Sequence, residues 1–154
     1  MATTSVFNGT SLVVLIGTEV IGFATSCSLS IAIDAPDAST KQSLGWADEI
    51  GGQKSWSLTT DGLATVAPGP LASYVNTTEL ANFAILRQPV TVKFTTIDNG
   101  TSPTPGVTPV VGDTYYTGSA FIESVDLTAD MENPVTYSVS FKGTGPLTIG
   151  TTTA

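Results

Sequence analysis

Residues 115–141 read YYTGSAFIESVDLTADMENPVTYSVSF, two runs of apolar and small residues joined by the turn-like segment ADMEN. In the second run apolar and polar side chains alternate, with the period of two that sends neighbours to opposite faces of a strand. The side chains expected to face inward there are Val135, Tyr137, Val139 and Phe141. In the first run the apolar spacing slips between Ile122 and Val125, which indicates a β-bulge. The stretch predicts two long strands of an antiparallel β protein.

The same alternation recurs in three other segments, which we predict to be strands. The inward-facing residues are Leu29, Ile31 and Ile33 in SLSIAID, Trp56 and Leu58 in SWSLTTDG, and Val90, Val92 and Phe94 in PVTVKFTTI. The segment LVVLIGTEVIGF, residues 12–23, predicts a hairpin. Gly17 and Thr18 suit its turn, because a two-residue turn of this kind needs a positive φ at its first central position.

One segment, TTELANFAILRQ, follows a helical pattern instead. Asn76 precedes it as a capping residue, and Glu79 completes a capping box. Leu80 and Phe83 lie on one helical face, and Pro89 ends the run. The sequence therefore predicts a mainly β fold, an antiparallel β-sandwich or barrel with one short α-helix that covers an end or a face of the sheet.

We predict a single domain, residues 1–154, with two long loops. The first covers about residues 35–54, and the second, rich in proline and glycine, covers about 98–113. The last residues, IGTTTA, carry no apolar anchor after Ile149. We expect this tail to fray or to dock on a neighbouring chain.

The composition excludes several classes of partner. The net charge is −8, there is no histidine, and the five basic residues are dispersed. Binding to nucleic acid or to anionic membranes depends on clustered Lys and Arg, so we expect neither. The first residues lack the basic region of a secretory signal, and the longest apolar run, Leu12–Ile16, is too short to cross a bilayer, so a cytoplasmic start is expected. Only 12% of the residues are charged, and burial of part of the surface in an assembly would explain this low share of charged residues.

Candidate catalytic groups are sparse. Without histidine, neither Ser-His nor Cys-His catalysis is available to this chain alone. Cys27 is expected to be a small buried thiol rather than a nucleophile. The adjacent carboxylates Asp48 and Glu49 could act as a glycosidase pair, but solvated loop charges are the favoured interpretation. We therefore predict no enzymatic activity.

Candidate ligand sites are equally weak. Asp34 and Asp37, with Asp130 and Glu132, could bind calcium, but their spacing lacks the glycine and terminal glutamate of an EF-hand loop. Acidic turn residues are the favoured interpretation. The GTGPL segment at 143–147 lacks the lysine and the helix of a phosphate-binding loop. We predict no metal and no cofactor.

Self-association is better supported. Both tryptophans lie in residues 39–63, STKQSLGWADEIGGQKSWSLTTDGL. Trp46, in the loop, suits an interface anchor and Trp56 a core residue, with stacking on a sugar as the alternative for both. The edges of a sandwich expose unpaired backbone groups, and few charges protect them here. Neighbouring sheets joined around a closed ring would form one large barrel without edges, and a second contact would stack the rings into a tube.

The sequence resembles the major tail tube proteins of long-tailed, siphophage-type bacteriophages over nearly its whole length. The similarity begins with VVLIGTEVIGF and TSCSLSIAID and continues through ASTKQSLGWADEIGGQKSWSLTTDGL. This middle segment has Lys-x-Ser, tryptophan, glycine and Ser-Trp-Ser in order. The similarity ends in YYTGSAFIESVDLTADMENPVTYSVSFKGTGPLTI, with its Ser-Phe-x-Gly-x-Gly-x-Leu close. The Pro-rich loop at 98–113 matches nothing diagnostic.

This resemblance implies a β-sandwich subunit that forms hexameric rings, stacked into a hollow tail tube of the virion. Such tubes are assembled in the host cytoplasm around a tape measure protein, with a tail terminator at the head side and distal tail or baseplate proteins at the other end. They conduct DNA during ejection without binding it specifically, and the family offers no enzymatic residues. The implied subunit-interface residues lie in the long loop and the next strand, and our candidates are Lys41, Ser43, Trp46, Asp48 and Trp56.

The acidic balance suits a lumen, because carboxylates would keep phosphates from adhering. The lumen candidates are Asp34, Glu123 and Asp126. An alternative of the same architecture is the inner tube of a contractile injection device.

A different class of alternative is a carbohydrate-binding β-sandwich, such as an adhesin module. It would need exposed aromatic side chains in a shallow groove, for which the candidates are Trp46, Tyr74, Tyr115 and Tyr116.

Overall fold

The computed structural model describes residues 12–22, 24–64, 74–96 and 111–153. The strands are β1 Leu12–Ile16, β2 Glu19–Ile21, β3 Ala24–Ile33, β4 Lys54–Leu63, β5 Tyr74–Val75, β6 Val90–Thr96, β7 Thr114–Thr128, β8 Thr136–Gly143 and β9 Thr148–Thr151, and helix α1 is Thr77–Ile85. Within the described ranges no helix is long and apolar enough to cross a membrane.

The strands form one sheet in the order β3-β4-β8-β7-β6-β1-β2-β5, with β9 also beside β7. The pairings are antiparallel except for β2 with β5. Strand β7 is 15 residues long and belongs to both halves of the sheet, because its first part pairs with β6 and β9 and its second part with β8. The predicted mainly β, antiparallel architecture is confirmed.

The sheet curls so that its two halves enclose the core. Leu58 of β4 and Phe141 of β8 belong to one buried cluster with Val14 of β1. Burying a side chain of this size contributes about 1.5–3 kcal/mol. Tyr137 of β8 donates a hydrogen bond from its hydroxyl to the carbonyl oxygen of Gly22 over 3.0 Å, which ties the two halves together.

Helix α1 begins as the sequence predicts. The Asn76 side chain accepts from the Glu79 N–H at 2.9 Å, and the Glu79 carboxylate accepts from the Asn76 N–H at 3.0 Å. Leu80 is fully buried in the core cluster, and Phe83 packs against it. The helix ends at Ile85, four residues before Pro89, because Arg87 adopts a left-handed conformation with φ 53°.

Two local predictions in the strands are confirmed. The β7–β8 register shifts between Ile122 and Ser124, so Glu123 is the extra residue of a β-bulge. The β1–β2 hairpin turns at Gly17 and Thr18, and Gly17 has the required positive φ of 63°. The bulge brings the apolar residues on either side of it, Ile122 and Val125, to the core cluster.

The prediction that the C-terminal tail frays or docks on a neighbouring chain is wrong. Residues Thr148–Thr151 form β9 on the edge of β7, and Thr152 exchanges backbone hydrogen bonds with Gly112 and Asp113 at 2.9 Å each. Backbone pairing, which apolar spacing does not reveal, holds this segment to its own subunit. Of the predicted loop at 98–113, residues 98–110 lie outside the described residues.

Three predicted inward-facing residues are exposed. Val135 precedes β8 and is 41% exposed, while Ile31 and Ile33 at the end of β3 are 55% and 59% exposed. Strand β3 is the terminal strand of the sheet order, and no described element covers the end of its apolar face. The alternation correctly predicted a strand with one apolar face, but this face is open in the single subunit.

Candidate assembly surface

The connection between β3 and β4, residues 34–53, is an ordered ribbon that we call the arm. Four backbone hydrogen bonds of 2.6–3.1 Å cross it, including Ala38 N–H to Asp48 O and Ile50 N–H to Pro36 O. Asp37 and Glu49 form an additional β-bridge. The arm therefore continues the β3–β4 hairpin beyond the sheet.

The tip of the arm is a tight turn that presents apolar side chains. Thr40 caps a short 3-10 turn, Lys41–Ser43, in which the Thr40 N–H donates to the Ser43 hydroxyl at 3.1 Å. Leu44 and Gly45 follow with positive φ angles of 51° and 86°. Leu44 is 88% exposed and Trp46 is 81% exposed. Hydrogen bonds hold the turn in place while its two large apolar side chains remain in solvent.

The predicted interface residues do not all share this surface. Lys41, Trp46 and Asp48 are exposed on the arm. Ser43 is half-buried, and its hydroxyl accepts the hydrogen bond from the Thr40 N–H within the turn. Trp56 is only 6% exposed and lies in the core cluster. The contact of these residues with other subunits remains a prediction.

Sequence reasoning missed two exposed apolar residues of the arm, Leu44 and Ile50, the latter 62% exposed. A signal was present, since large apolar residues are unusual in a loop rich in small and polar groups. Such residues in the open mark interaction surfaces when they lie together.

The sheet has two unpaired edges among the described residues. Strand β3 has β4 as its sole described neighbour, and no described strand pairs with the outer edge of β7 beyond Ala120. Each edge presents backbone N–H and C=O groups without ladder partners. Between these edges lie four strands in the order β3-β4-β8-β7.

One side of these four strands is polar, and we call it the polar face. Cross-strand partners share a face, so the register identifies its members. They are Ser26, Ser28 and Ser30 of β3, Ser57, Thr59 and Asp61 of β4, Thr136, Ser138, Ser140 and Lys142 of β8, and Ser124, Asp126 and Thr128 of β7. Apolar residues occur at its margins, where Leu63 and Phe121 are 38% and 41% exposed.

The three acidic lumen candidates are not brought together. Asp126 lies on the polar face, Glu123 is the bulged residue of β7, and Asp34 follows β3 at the base of the arm. Asp61, which sequence reasoning missed, lies in the same row as Asp126 with Ser138 between them. The alternation of SWSLTTDG already placed Asp61 opposite to the inward-facing Trp56.

The candidate ligand groups are also dispersed. Asp37 accepts from the Ser39 N–H at 2.8 Å, and hydrogen bonding to Ser39 lowers the pKa of its carboxyl. This is the turn role that was favoured over calcium binding. Asp130 and Glu132 lie beyond the opposite end of the sheet. Among the described residues no group of three or more His, Cys, Asp or Glu side chains is arranged to hold a metal ion.

Cys27 is half-buried, and burial raises the pKa of its thiol, which disfavours the nucleophilic thiolate. It lines an open cavity of about 490 Å³ with Ser28, Leu29, Ile31, Phe94 and Tyr116. This lining is largely apolar, whereas a sugar site needs convergent hydrogen-bonding groups.

The aromatic residues proposed for sugar stacking are separated as well. The Lys93 ammonium lies 3.9 Å from the ring centroid of Tyr115 and covers that face. Tyr116 is half-buried in the cavity, and Trp46 is at the arm tip. The side chain of Tyr74 lies outside the described set.

Comparisons with known proteins give a consistent picture. A family model described as phage tail tube protein matches residues 6–149. No protein with a curated description matches the sequence. A chain from the virion of a native gene transfer agent particle has a TM-score of 0.69 at 15% identity, over 94% of this chain and 99% of that chain.

Two further solved structures have a similar fold. The SPP1 tail tube gives a TM-score of 0.67 at 10% identity, over 96% of this chain and 80% of that chain. A chain of the sheath–tube complex of PVC, an extracellular contractile injection system, gives a TM-score of 0.64 at 16% identity, over 94% of this chain and 91% of that chain.

Proposed function

The chain belongs to the phage tail tube protein family, and from this premise we propose that it is a structural virion protein whose copies form stacked hexameric rings, the hollow tail tube through which DNA is ejected. The observation that carries the proposal is the four-stranded sheet with a polar face, in which the outer edges of β3 and of β7 beyond Ala120 have no strand partner among the described residues. Pairing of other copies with both edges would satisfy the backbone groups that these edges leave open.

The ring closes when β3 of one subunit pairs with the outer edge of β7 in the next. The four strands alternate in direction, so β3 and β7 of one subunit are antiparallel. Rotation about an axis along the strands preserves each strand's direction. The new β3–β7 joint is therefore also antiparallel, and the alternation continues around the ring without a break. The product is one barrel with no free edge.

The polar face lines the lumen in this arrangement. Its Ser and Thr hydroxyls are neutral, and Asp61 and Asp126 add negative charge in one row. Asp34 and Glu123 add further carboxylates at the arm base and the bulge. Lys142 is the sole cation among the residues of this face. The phosphates of DNA would face hydrated hydroxyl groups and a few repelling carboxylates there, rather than the clustered cations that would bind them.

The proposed partners follow from the same role. The rings stack on each other, surround a tape measure protein, and end at a tail terminator and at distal tail or baseplate proteins. The protein acts in the virion tail, is assembled in the host cytoplasm, and passes DNA without specific binding. It carries out no catalysis.

The inner tube of a contractile injection device is the second candidate. The similarity in fold to the PVC chain favours it, since that TM-score of 0.64 is close to the 0.69 of the gene transfer agent chain. The carbohydrate-binding module is less favoured, because the open cavity is lined mostly by apolar residues and the candidate aromatic rings are dispersed.

Negative-stain electron microscopy of the purified, concentrated protein at moderate salt tests the proposal. Salt screens the repulsion between subunits of net charge −8. The expected result is six-fold rings or uniform hollow tubes. A protein that stays monomeric at every salt concentration, also with its tape measure protein, and binds a sugar on a glycan array would overturn it.

A further inference from the structure

The two open edges of the four-stranded sheet differ in charge. Strand β3, Ala24–Ile33, contains no charged residue. The open part of β7, residues 121–128, contains Glu123 and Asp126, and both side chains are exposed. The open edge of β7 is therefore acidic, whereas the open edge of β3 is neutral.

The two edges also differ in regularity. The β7–β8 register shifts at Glu123, so the bulge lies within the open part of β7. In β3 the register shift lies at the beginning of the strand, between Ala24 and Ser26, and residues 26–33 pair with β4 without interruption. Bulges and charged side chains are two means by which natural sheets prevent unwanted pairing of an edge. Glu123 combines both.

The open edge of β7 has a competing partner, which is the same edge of a second copy. A two-fold axis perpendicular to the sheet places two β7 edges side by side, antiparallel and with their polar faces on the same side. This dimer uses the backbone groups that the β3–β7 joint needs. Phe121 and Leu127 are 41% and 58% exposed on this part of β7, and partial covering of such apolar side chains favours the dimer.

Charge separates the two arrangements. Two paired β7 edges would gather four carboxylates, from Glu123 and Asp126 of both copies, and like charges on neighbouring strands destabilise a pairing. Across the β3–β7 joint, two carboxylates face a strand that has none. Opposite and diagonal side chains on neighbouring strands are about 5–8 Å apart, within the Debye length of about 10 Å at 0.1 M salt. Part of this repulsion therefore persists at salt concentrations that screen the repulsion between whole subunits.

We propose that Glu123 and Asp126 prevent the open edge of β7 from pairing with the same edge of a second copy, so that its partner in the assembly is the neutral β3 of another subunit. The two carboxylates thus determine the choice of partner at this edge, separately from their proposed effect on DNA in the lumen. This inference rests on the proposed function, because the β3–β7 joint closes the ring.

Neutralising the two carboxylates tests this role. The neutralised variant is Glu123→Gln with Asp126→Asn, and the control, Glu19→Gln with Glu132→Gln, removes the same charge at two other exposed positions. Sedimentation velocity at low salt measures dimer formation. We expect the neutralised variant to dimerise about tenfold more tightly than the wild type, the scale of two like-charged cross-strand pairs, and the control to match the wild type. Equal dimer formation in the neutralised variant and the wild type would overturn the inference.

A single cysteine locates the dimer contact. Ser124→Cys, near the centre of the open part of β7, is made in a Cys27→Ser background with and without the two neutralising substitutions. Two such cysteines approach each other when two β7 edges pair about their centre, whereas in the ring each of them faces β3 of the next subunit. We expect a disulfide-linked dimer in the neutralised background and little of it with the native carboxylates. Dimers of the neutralised variant that lack this disulfide would overturn the inference.

The outcomes distinguish this inference from the proposed function. If the wild type forms tubes and the neutralised variant forms tubes and no dimers, the role of the two carboxylates is wrong and the tube stands. If the Ser124→Cys protein with native carboxylates forms the disulfide-linked dimer, and the wild type forms neither rings nor tubes, both are wrong.

Discussion

Gly143 lies directly against the indole ring of Trp56, in contact so close that any Cβ on the glycine would overlap the ring. A Cβ on Gly118, which lies on the same face of the sheet as Gly143, would stand 2.6 Å from the ring. The indole N–H donates to the carbonyl oxygen of Gly145 at 3.1 Å. In the Ser-Phe-x-Gly-x-Gly-x-Leu motif, Gly143 thus leaves the space that the indole of Trp56 occupies, and Gly145 accepts its hydrogen bond. We call this space the slot.

Substitutions in this slot should destabilise the subunit before they affect assembly. Trp56→Ala should lower the free energy of unfolding by roughly 3–5 kcal/mol, as expected for a large core aromatic. Gly143→Ala should lower it by about 1–3 kcal/mol through overpacking. Urea unfolding of the monomer measures both, with Ser57→Ala on the polar face as the control. A Gly143→Ala subunit of wild-type stability would contradict the slot.

Trp46→Ala should leave the subunit folded and prevent polymerisation. The side chain is exposed in the monomer, so its removal costs little stability, whereas loss of an interface anchor costs about 2 kcal/mol or more per contact. Circular dichroism and electron microscopy measure the two effects. Ile85→Ala, another exposed apolar residue, is the matched control. Normal tubes from Trp46→Ala would refute the anchor role.

Charge reversal on the lumen side should slow genome ejection while tubes remain intact. The variants are Asp126→Lys with Asp61→Lys in one row of the polar face, and Asp34→Lys and Glu123→Lys separately. Added cations would hold phosphates that the native face repels. Release of DNA from triggered virions measures the rate, with Glu19→Lys at the exposed β1–β2 turn as the control. Unchanged kinetics would remove the tested residue from the lumen.

The subunit should lose stability at alkaline pH. Burial raises the pKa of Tyr137 above its ordinary value of 10.0, so folding favours the neutral phenol. The associated stability is fully present below about pH 10 and is lost as the pH rises through the folded-state pKa. Burial raises the pKa of the Cys27 thiol as well, from 9.0, so its contribution declines from pH 9 upward.

Urea unfolding between pH 8 and 11 measures this decline. Tyr137→Phe should be less stable at pH 8 by about 1 kcal/mol, because the hydrogen bond to Gly22 is lost, and should depend less on pH. Cys27→Ala should remove the earlier part of the decline. Equal pH dependence in wild type and both variants would contradict the assignment.

The sequence was sufficient for the elements whose signals are local. The capping box at Asn76 and Glu79, the turn at Gly17 and the bulge at Glu123 each depend on a few adjacent residues. The alternation also predicted the buried Trp56 and Phe141. These features could be predicted because the periodicity of a strand or a helix follows directly from the order of its residues.

The errors arose where the partner is distant in the chain or belongs to another subunit. Strand β9 is held to β7 by backbone pairing, so IGTTTA carried no apolar signal for it. Ile31 and Ile33 have the pattern of a buried face, yet no described element of the subunit covers them. The cross-ribbon hydrogen bonds of the arm and the exposure of Leu44 likewise depend on the three-dimensional arrangement, so the sequence alone did not reveal them.

Amide hydrogen exchange of the two edge segments, β3 and residues 121–128, tests the central claim most directly. In an unpaired edge strand the outward N–H groups exchange quickly, whereas ladder hydrogen bonds protect them. Comparing monomers with assembled tubes, we expect both segments to become protected together and the central strands β4 and β8 to change little. If the tubes form and both edges still exchange as in the monomer, the β3–β7 ring closure is wrong.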